Sequence, residues 1–133
     1  MIFIDSSFFI AYFNESDQWH EKSLHVAKLI KNRKKVISNL IISETVTNIG
    51  SLFKGKAGNF VYNHIIKNYN VIYDNKNRSS NAMKIYLKHD GVLSLADSLS
   101  VQIMKEQNII EIASFDSDFD KVEGILRLHW FYI

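Results

Sequence analysis

The chain has 133 residues, 47% of them apolar, with a net charge of +2. That length predicts one domain over residues 1–133, able to bury a core without covalent staples. There is no Cys, which excludes disulfides, thiolate zinc sites and cysteine nucleophiles.

No apolar run approaches the ~20 residues of a spanning helix. The opening MIFIDSSFFIAYF carries Asp5 and no basic segment before it, so it does not read as a signal peptide. A cytoplasmic protein without membrane contact is expected. The small net charge hides a strong pattern: residues 1–21 carry −4, residues 22–88 carry +11 and residues 89–133 carry −5. A basic middle between acidic ends suggests a polyanion partner near an acid cluster. Simple solvation of Lys-rich helices is the alternative.

Taken in chain order, Ile2-Phe3-Ile4 is a buried-strand candidate that ends at Asp5. Phe8 to Phe13 is a short helical segment. Asp17 has the chemistry of an N-cap for a helix reaching about Asn32. Lys35 to Ser38 forms a second strand, followed by helices from Asn39 to about Phe53 and from Lys56 to Asn68. Asn70 to Tyr73 is a third strand. Asn77 to His89 is a helix that Gly91 closes, and Ser94 to Gln107 is another. Ile109 to Ala113 and Ile125 to Trp130 complete five strands. The closing run Leu126 to Ile133 suits either core or a dimer surface. Short apolar strands alternating with longer helices predict an α/β fold with a parallel sheet covered on both faces. In such sheets ligands bind beyond the carboxyl ends of the strands.

Acids fall at that edge. Asp5 follows strand one, and Asp116 follows strand four within Ser114-Phe115-Asp116-Ser117-Asp118-Phe119-Asp120. Glu44 and Asp97 lie on helices in apolar company. A carboxylate buried without a partner costs several kcal/mol, so a cation or a hydrogen-bond set must compensate. Each acid also has a plainer reading. Asp5 suits a turn, Glu44 an outer helix face, and Asp116, Asp118 and Asp120 a solvated loop. Ser94-x-x-Asp97 fits a capping box. Together the acids converge on one sheet edge, and an all-oxygen set suits Mg2+ or Mn2+ rather than zinc.

Four segments resemble the PIN-domain ribonucleases, and within them the VapC-like toxins of toxin–antitoxin pairs. They are Ile4-Asp5-Ser6-Ser7, Ile42-Ser43-Glu44-Thr45-Val46-Thr47-Asn48, Leu95-Ala96-Asp97-Ser98-Leu99 and Ser114 to Asp120. Their order and spacing match over essentially the whole chain. The resemblance implies a PIN-like three-layer fold, a parallel sheet of about five strands with helices on both faces. It also implies a divalent-metal-dependent endoribonuclease using Mg2+ or Mn2+, leaving a 5′-phosphate and a 3′-hydroxyl. Asp5, Asp97 and Asp116 would be direct ligands, Glu44 a ligand directly or through water, and Asp118 the substitute for Asp116. Ser6 and Ser114 would support them.

No arginine-rich tract accompanies these motifs, so RNA would fall to the Lys-rich helices, with Lys31, Arg33, Lys34 and Lys35 as candidate phosphate contacts. The resemblance further implies a cognate antitoxin partner and a homodimer. A housekeeping nuclease for rRNA or tRNA maturation and a non-catalytic RNA- or protein-binding scaffold remain open alternatives. A haloacid-type phosphatase needs Asp-x-Asp after strand one, and Asp5-Ser6-Ser7 lacks it. A phosphotransfer receiver needs an early acid pair that is also missing.

Overall fold

The computed structural model describes residues 1–129. Five strands, β1 (Ile2–Ile4), β2 (Lys35–Ser38), β3 (Asn70–Ile72), β4 (Glu111–Ala113) and β5 (Leu126–Leu128), form one sheet in the order β3-β2-β1-β4-β5. Every pairing is parallel. The intervening helices are α1 (Ser6–Phe13), α2 (His20–Leu29), α3 (Asn39–Phe53), α4 (Gly55–Asn68), α5 (Lys76–Lys88) and α6 (Leu95–Gln107).

The strand order dictates where the helices lie. Connections from β1 to β2 and from β2 to β3 move one way across the sheet, while β3 to β4 returns the other way. Right-handed crossovers therefore place α1–α4 on one face and α5–α6 on the other. Packing agrees, with α1 against α2 and α3, α3 against α4, and α5 against α6. Ile2, Phe3 and Ile4 are fully buried, as a central strand covered on both faces requires. Phe8, Phe9, Phe119, Ile37, Leu93 and Leu99 fill the core around them.

Boundaries differ from expectation for identifiable reasons. Asp17 does not cap α2. Its Oδ1 accepts from the Trp19 N–H at 2.8 Å in a turn ahead of the helix. The expected helix to Asn32 ends at Leu29, and residues 30–33 continue as turns. Strand four is shorter at its start because Ile109 N–H returns to Met104 C=O at 2.8 Å, after Asn108 turns left-handed at φ 56°. Gly91, at φ 75°, closes α5 as expected, its N–H reaching Tyr86 C=O at 3.0 Å. A short 3-10 helix over Ser117–Lys121 replaces the expected acidic loop. Of the closing run Leu126 to Ile133, expected as core or dimer surface, Leu126–Leu128 form β5 with Leu128 buried, and residues 130–133 lie outside the described residues.

Candidate functional site

The chain leaves β1 toward β2 and leaves β4 toward β5, in opposite directions. That divergence opens a crevice at the carboxyl ends of β1 and β4. Asp5 lies directly in it. Its N–H continues the ladder to Ala113 C=O at 3.0 Å, and its side chain is 2% exposed. Among the described residues, serines and not cations meet this carboxylate. Ser7 and Ser114 hydroxyls each donate to Asp5 Oδ2 at 2.7 Å and stand 3.2 Å apart. Backbone N–H groups of Phe115 and Asp116 donate in turn to Ser7 Oγ at 2.9 Å and Ser114 Oγ at 3.0 Å. Burial raises the Asp5 pKa, these hydrogen bonds oppose it, and the Asp116 charge adds to the rise.

Asp97 is pushed up to about 7, by burial first and by the Asp5 charge second. Its bonds with Ser94 oppose the shift, and Asp116 reinforces it. The capping box is present as well: Ser94 Oγ accepts from Asp97 N–H at 3.0 Å, and Asp97 Oδ2 accepts from Ser94 N–H at 3.3 Å. Asp97 is therefore both a cap and a member of the acid group. Glu44, on α3, stands at the exposed edge, beside an open groove of about 510 Å3 lined by Ile10, Ser43, Thr47, Asn48 and Ser51. Desolvation on its protein side raises its pKa, the Asp5 charge adds to this, and the Ser6 hydroxyl opposes it by donating to Oε1 at 3.4 Å.

These electrostatic links join Asp5, Glu44, Asp97 and Asp116 with Asp5 as their common member. Asp118 is elsewhere engaged, accepting from Lys121 Nζ at 2.9 Å. Asp116 Oδ1 accepts from Asp118 N–H at 2.9 Å and opens the 3-10 helix. Ser6 and Ser114 both touch a member of the acid group. Ser7 is the residue missed by sequence reading, although its position two after Asp5 is the Asx-type spacing that could have flagged it. Arg127 was also missed. It grips Asp120 through two bonds of 2.9 Å and donates to Ser114 C=O at 3.3 Å, bracing the loop after β4.

The basic tract is not brought to the acids. Lys31, Arg33 and Lys34 precede β2 and Lys35 opens it, so they lie at the amino-terminal edge of the sheet, one strand length or roughly 10 Å away. Arg33 pairs with Glu111 at 2.7 Å, and Lys35 Nζ donates to the Lys31 and Arg33 carbonyls. As candidate phosphate contacts, these residues would meet RNA away from the acids rather than beside them.

Hard carboxylate and hydroxyl oxygens fit Mg2+ or Mn2+ in chemistry. None of the four ion pairs among the described residues engages Asp5, Glu44, Asp97 or Asp116. Their spacing is looser than a coordination cage: among the described residues, no three His, Asp or Glu side chains stand as a group that could hold a metal ion. Ser114→Ala should cost about 1–3 kcal/mol of stability at neutral pH, because a buried carboxylate loses a donor. Denaturant melts measure this, and a loss under about 0.5 kcal/mol would mean Ser7 alone supports Asp5.

A family model, PIN domain, matches residues 2–125. Among solved structures, this chain is similar to the Mycobacterium tuberculosis toxin VapC20, which cleaves the sarcin–ricin loop (TM-score 0.81, 23% identity, 91% of this chain and 94% of that chain). It is similar to a chain of VapBC2 from Rickettsia felis, solved on a promoter DNA fragment (TM-score 0.72, 12% identity, 98% and 100%). It is also similar to a chain of a toxin–antitoxin complex from Klebsiella pneumoniae (TM-score 0.72, 12% identity, 95% and 96%). A search of curated proteins finds no significant match.

Proposed function

The chain belongs to the PIN domain family, and from that premise we propose that it is a divalent-metal-dependent endoribonuclease, the toxin of a toxin–antitoxin pair. The observation that carries this reading is Asp5, a buried carboxylate at the sheet crevice whose charge reaches Glu44, Asp97 and Asp116. Four acids without ion-pair partners repel one another, and a divalent cation is the partner their chemistry lacks.

Asp5, Asp97 and Asp116 would hold Mg2+ or Mn2+ on drawing closer together than they stand here, with Glu44 as a ligand directly or through water. A bound divalent ion supplies polarisation of the phosphate and a lowered pKa for water. The chain's own contribution is positioning. Ser7 and Ser114 fix the Asp5 carboxylate, Ser6 steadies Glu44, and the Ser94 cap orients Asp97. Cleavage would leave a 5′-phosphate and a 3′-hydroxyl.

A partner surface supports the toxin reading over RNA maturation. Phe13, Ile49, Phe53, Ala57, Phe60 and Val61 line a groove of about 440 Å3, with Asn14, Glu15 and Ser16 as its polar side. Such an apolar surface suits a segment of an antitoxin, and a second copy of this chain is the rival occupant.

Purified protein incubated with total RNA should cut at discrete sites with Mn2+ and stop in EDTA, as sequencing of the fragment ends would record. Expression alone should arrest a host, and a small cognate partner should relieve it. Metal-independent cutting would overturn the metal reading, and harmless expression of active nuclease would favour RNA maturation.

A further inference from the structure

The acid group explains chemistry but not how a polyanion stays near four carboxylates. The basic tract lies at the opposite edge of the sheet. Lys121, on the loop after β4, pairs with Asp118, and Arg127, on β5, pairs with Asp120. Holding an RNA strand at this crevice therefore calls for a contact that does not depend on phosphate charge alone. Base stacking is such a contact, because every base has a flat face.

An aromatic pair stands at the required place. The Trp19 and Phe115 rings are parallel, with an interplanar angle of 0° and centroids 5.5 Å apart. Lys22 Nζ lies 4.9 Å from the centroid of the Trp19 ring. Phe115 is the residue between Ser114 and Asp116, and its N–H donates to Ser7 Oγ, which in turn donates to Asp5. The Phe115 backbone is thus two hydrogen bonds from Asp5, the centre of the acid group. Both rings are half-buried.

Trp19 is also held in advance of any ligand. Its N–H donates to Asp17 Oδ1 at 2.8 Å, and its C=O accepts from Ser23 N–H at 2.9 Å. The next residue, His20, bonds Ala11 C=O through Nδ1 at 2.8 Å, tying this turn to α1. A pre-set ring loses little freedom when a base lands on it.

We infer that Trp19 and Phe115 form a stacking ledge for an unpaired nucleobase next to the scissile phosphate, with Lys22 as the adjoining phosphate contact. The inference rests on the endoribonuclease reading and deepens it: the substrate at this crevice is single-stranded RNA. The plainer account is a clamp, in which the ring pair only ties α2 to the loop after β4.

Two measurements separate these. The first uses Asp5→Asn, Trp130→Phe protein with Mn2+, so that RNA is bound uncut and Trp19 is the sole tryptophan of the two in the sequence. A short unstructured oligoribonucleotide should quench its fluorescence, and a blunt RNA duplex of equal length should not. The second compares Trp19→Leu, which keeps apolar bulk, with Trp19→Phe, which keeps a flat face, in the otherwise wild-type enzyme. On the single-stranded substrate Trp19→Leu should raise KM about tenfold, the loss falling on KM rather than kcat, and Trp19→Phe should recover most of it. A lowered melting temperature and a lowered kcat, with KM unmoved and no quenching, would establish the clamp and overturn the ledge. If the wild-type enzyme neither binds nor cuts any RNA, the nuclease reading fails first and takes the ledge with it. If it cuts, but Trp19→Leu leaves KM and cut sites unchanged, the ledge alone fails.

Discussion

Asp5→Asn should lower RNA cleavage by about 10²–10³-fold or more, the scale of losing one electrostatic group at a reacting centre. The substitution keeps the shape and one acceptor oxygen for Ser7 and Ser114 while removing the charge common to the acid group. Burial already disfavours that charge without metal, so the variant should melt no lower than wild type in EDTA. Loss of activity with retained melting would separate a chemical role from a folding one. The two neighbouring acids provide the contrast. Asp116→Asn should fall comparably, because Asp116 acts electrostatically on Asp5 and Asp97. Asp118→Asn should stay within about fivefold of wild type, since it removes only a half-exposed pair with Lys121. Full activity in Asp5→Asn would remove the metal site from this crevice.

Asp97→Asn should be inactive yet melt higher than wild type in EDTA at pH 8. In the unfolded chain Asp97 titrates near 4, and in the fold it is pushed up to about 7. Folded protein therefore binds the proton more tightly. The stability this represents is fully present below about pH 4, is lost as pH rises through 7, and stays lost above. Asn cannot titrate, so the variant lacks this slope while keeping an acceptor for the Ser94 N–H. After discounting for partial exposure, the gain at pH 8 is about 2 kcal/mol, or about 5–10 °C in a chain this size. Mn2+ should reverse the order, lifting wild type by RT ln(1 + [L]/Kd) and the variant less. Melts of both proteins at pH 5 and pH 8, with and without Mn2+, would record this. A variant that melts lower in EDTA and gains equally from Mn2+ would reduce Asp97 to a helix cap.

The apolar run at Ile2–Ile4 and the Ser94-x-x-Asp97 box were readable because local pattern and final environment agree, whereas β3, read as a buried strand, lies at the sheet edge and is only partly covered. Alternation of short strands with helices was enough to anticipate the parallel sheet. Asp116 stood ahead of Asp118 only through the resemblance, because the physical distinction depends on Lys121, one 3-10 turn later, claiming Asp118. The position of the Lys31–Lys35 tract was not legible either. Charge patterning carries no information about which end of a strand a residue occupies, and these residues lead into and open β2 while Asp5 and Asp116 follow β1 and β4. Ser7 was hidden by sequence distance, since its meaning comes from Ser114 and Phe115, more than a hundred positions away.

That distance has a bearing on biosynthesis. The crevice is closed by β1 against β4, the first strand made against the fourth of five, and its serine bracket joins residue 7 to residue 114. Pairing so remote in sequence forms late, after β2, β3 and the helices between them have been ordered. A chain that ends before Ser114 has only Ser7 to hold Asp5 and lacks Asp116 altogether, so the acid group cannot yet form. On the nuclease reading proposed above, such a chain could not yet cut the RNA of the machine that makes it.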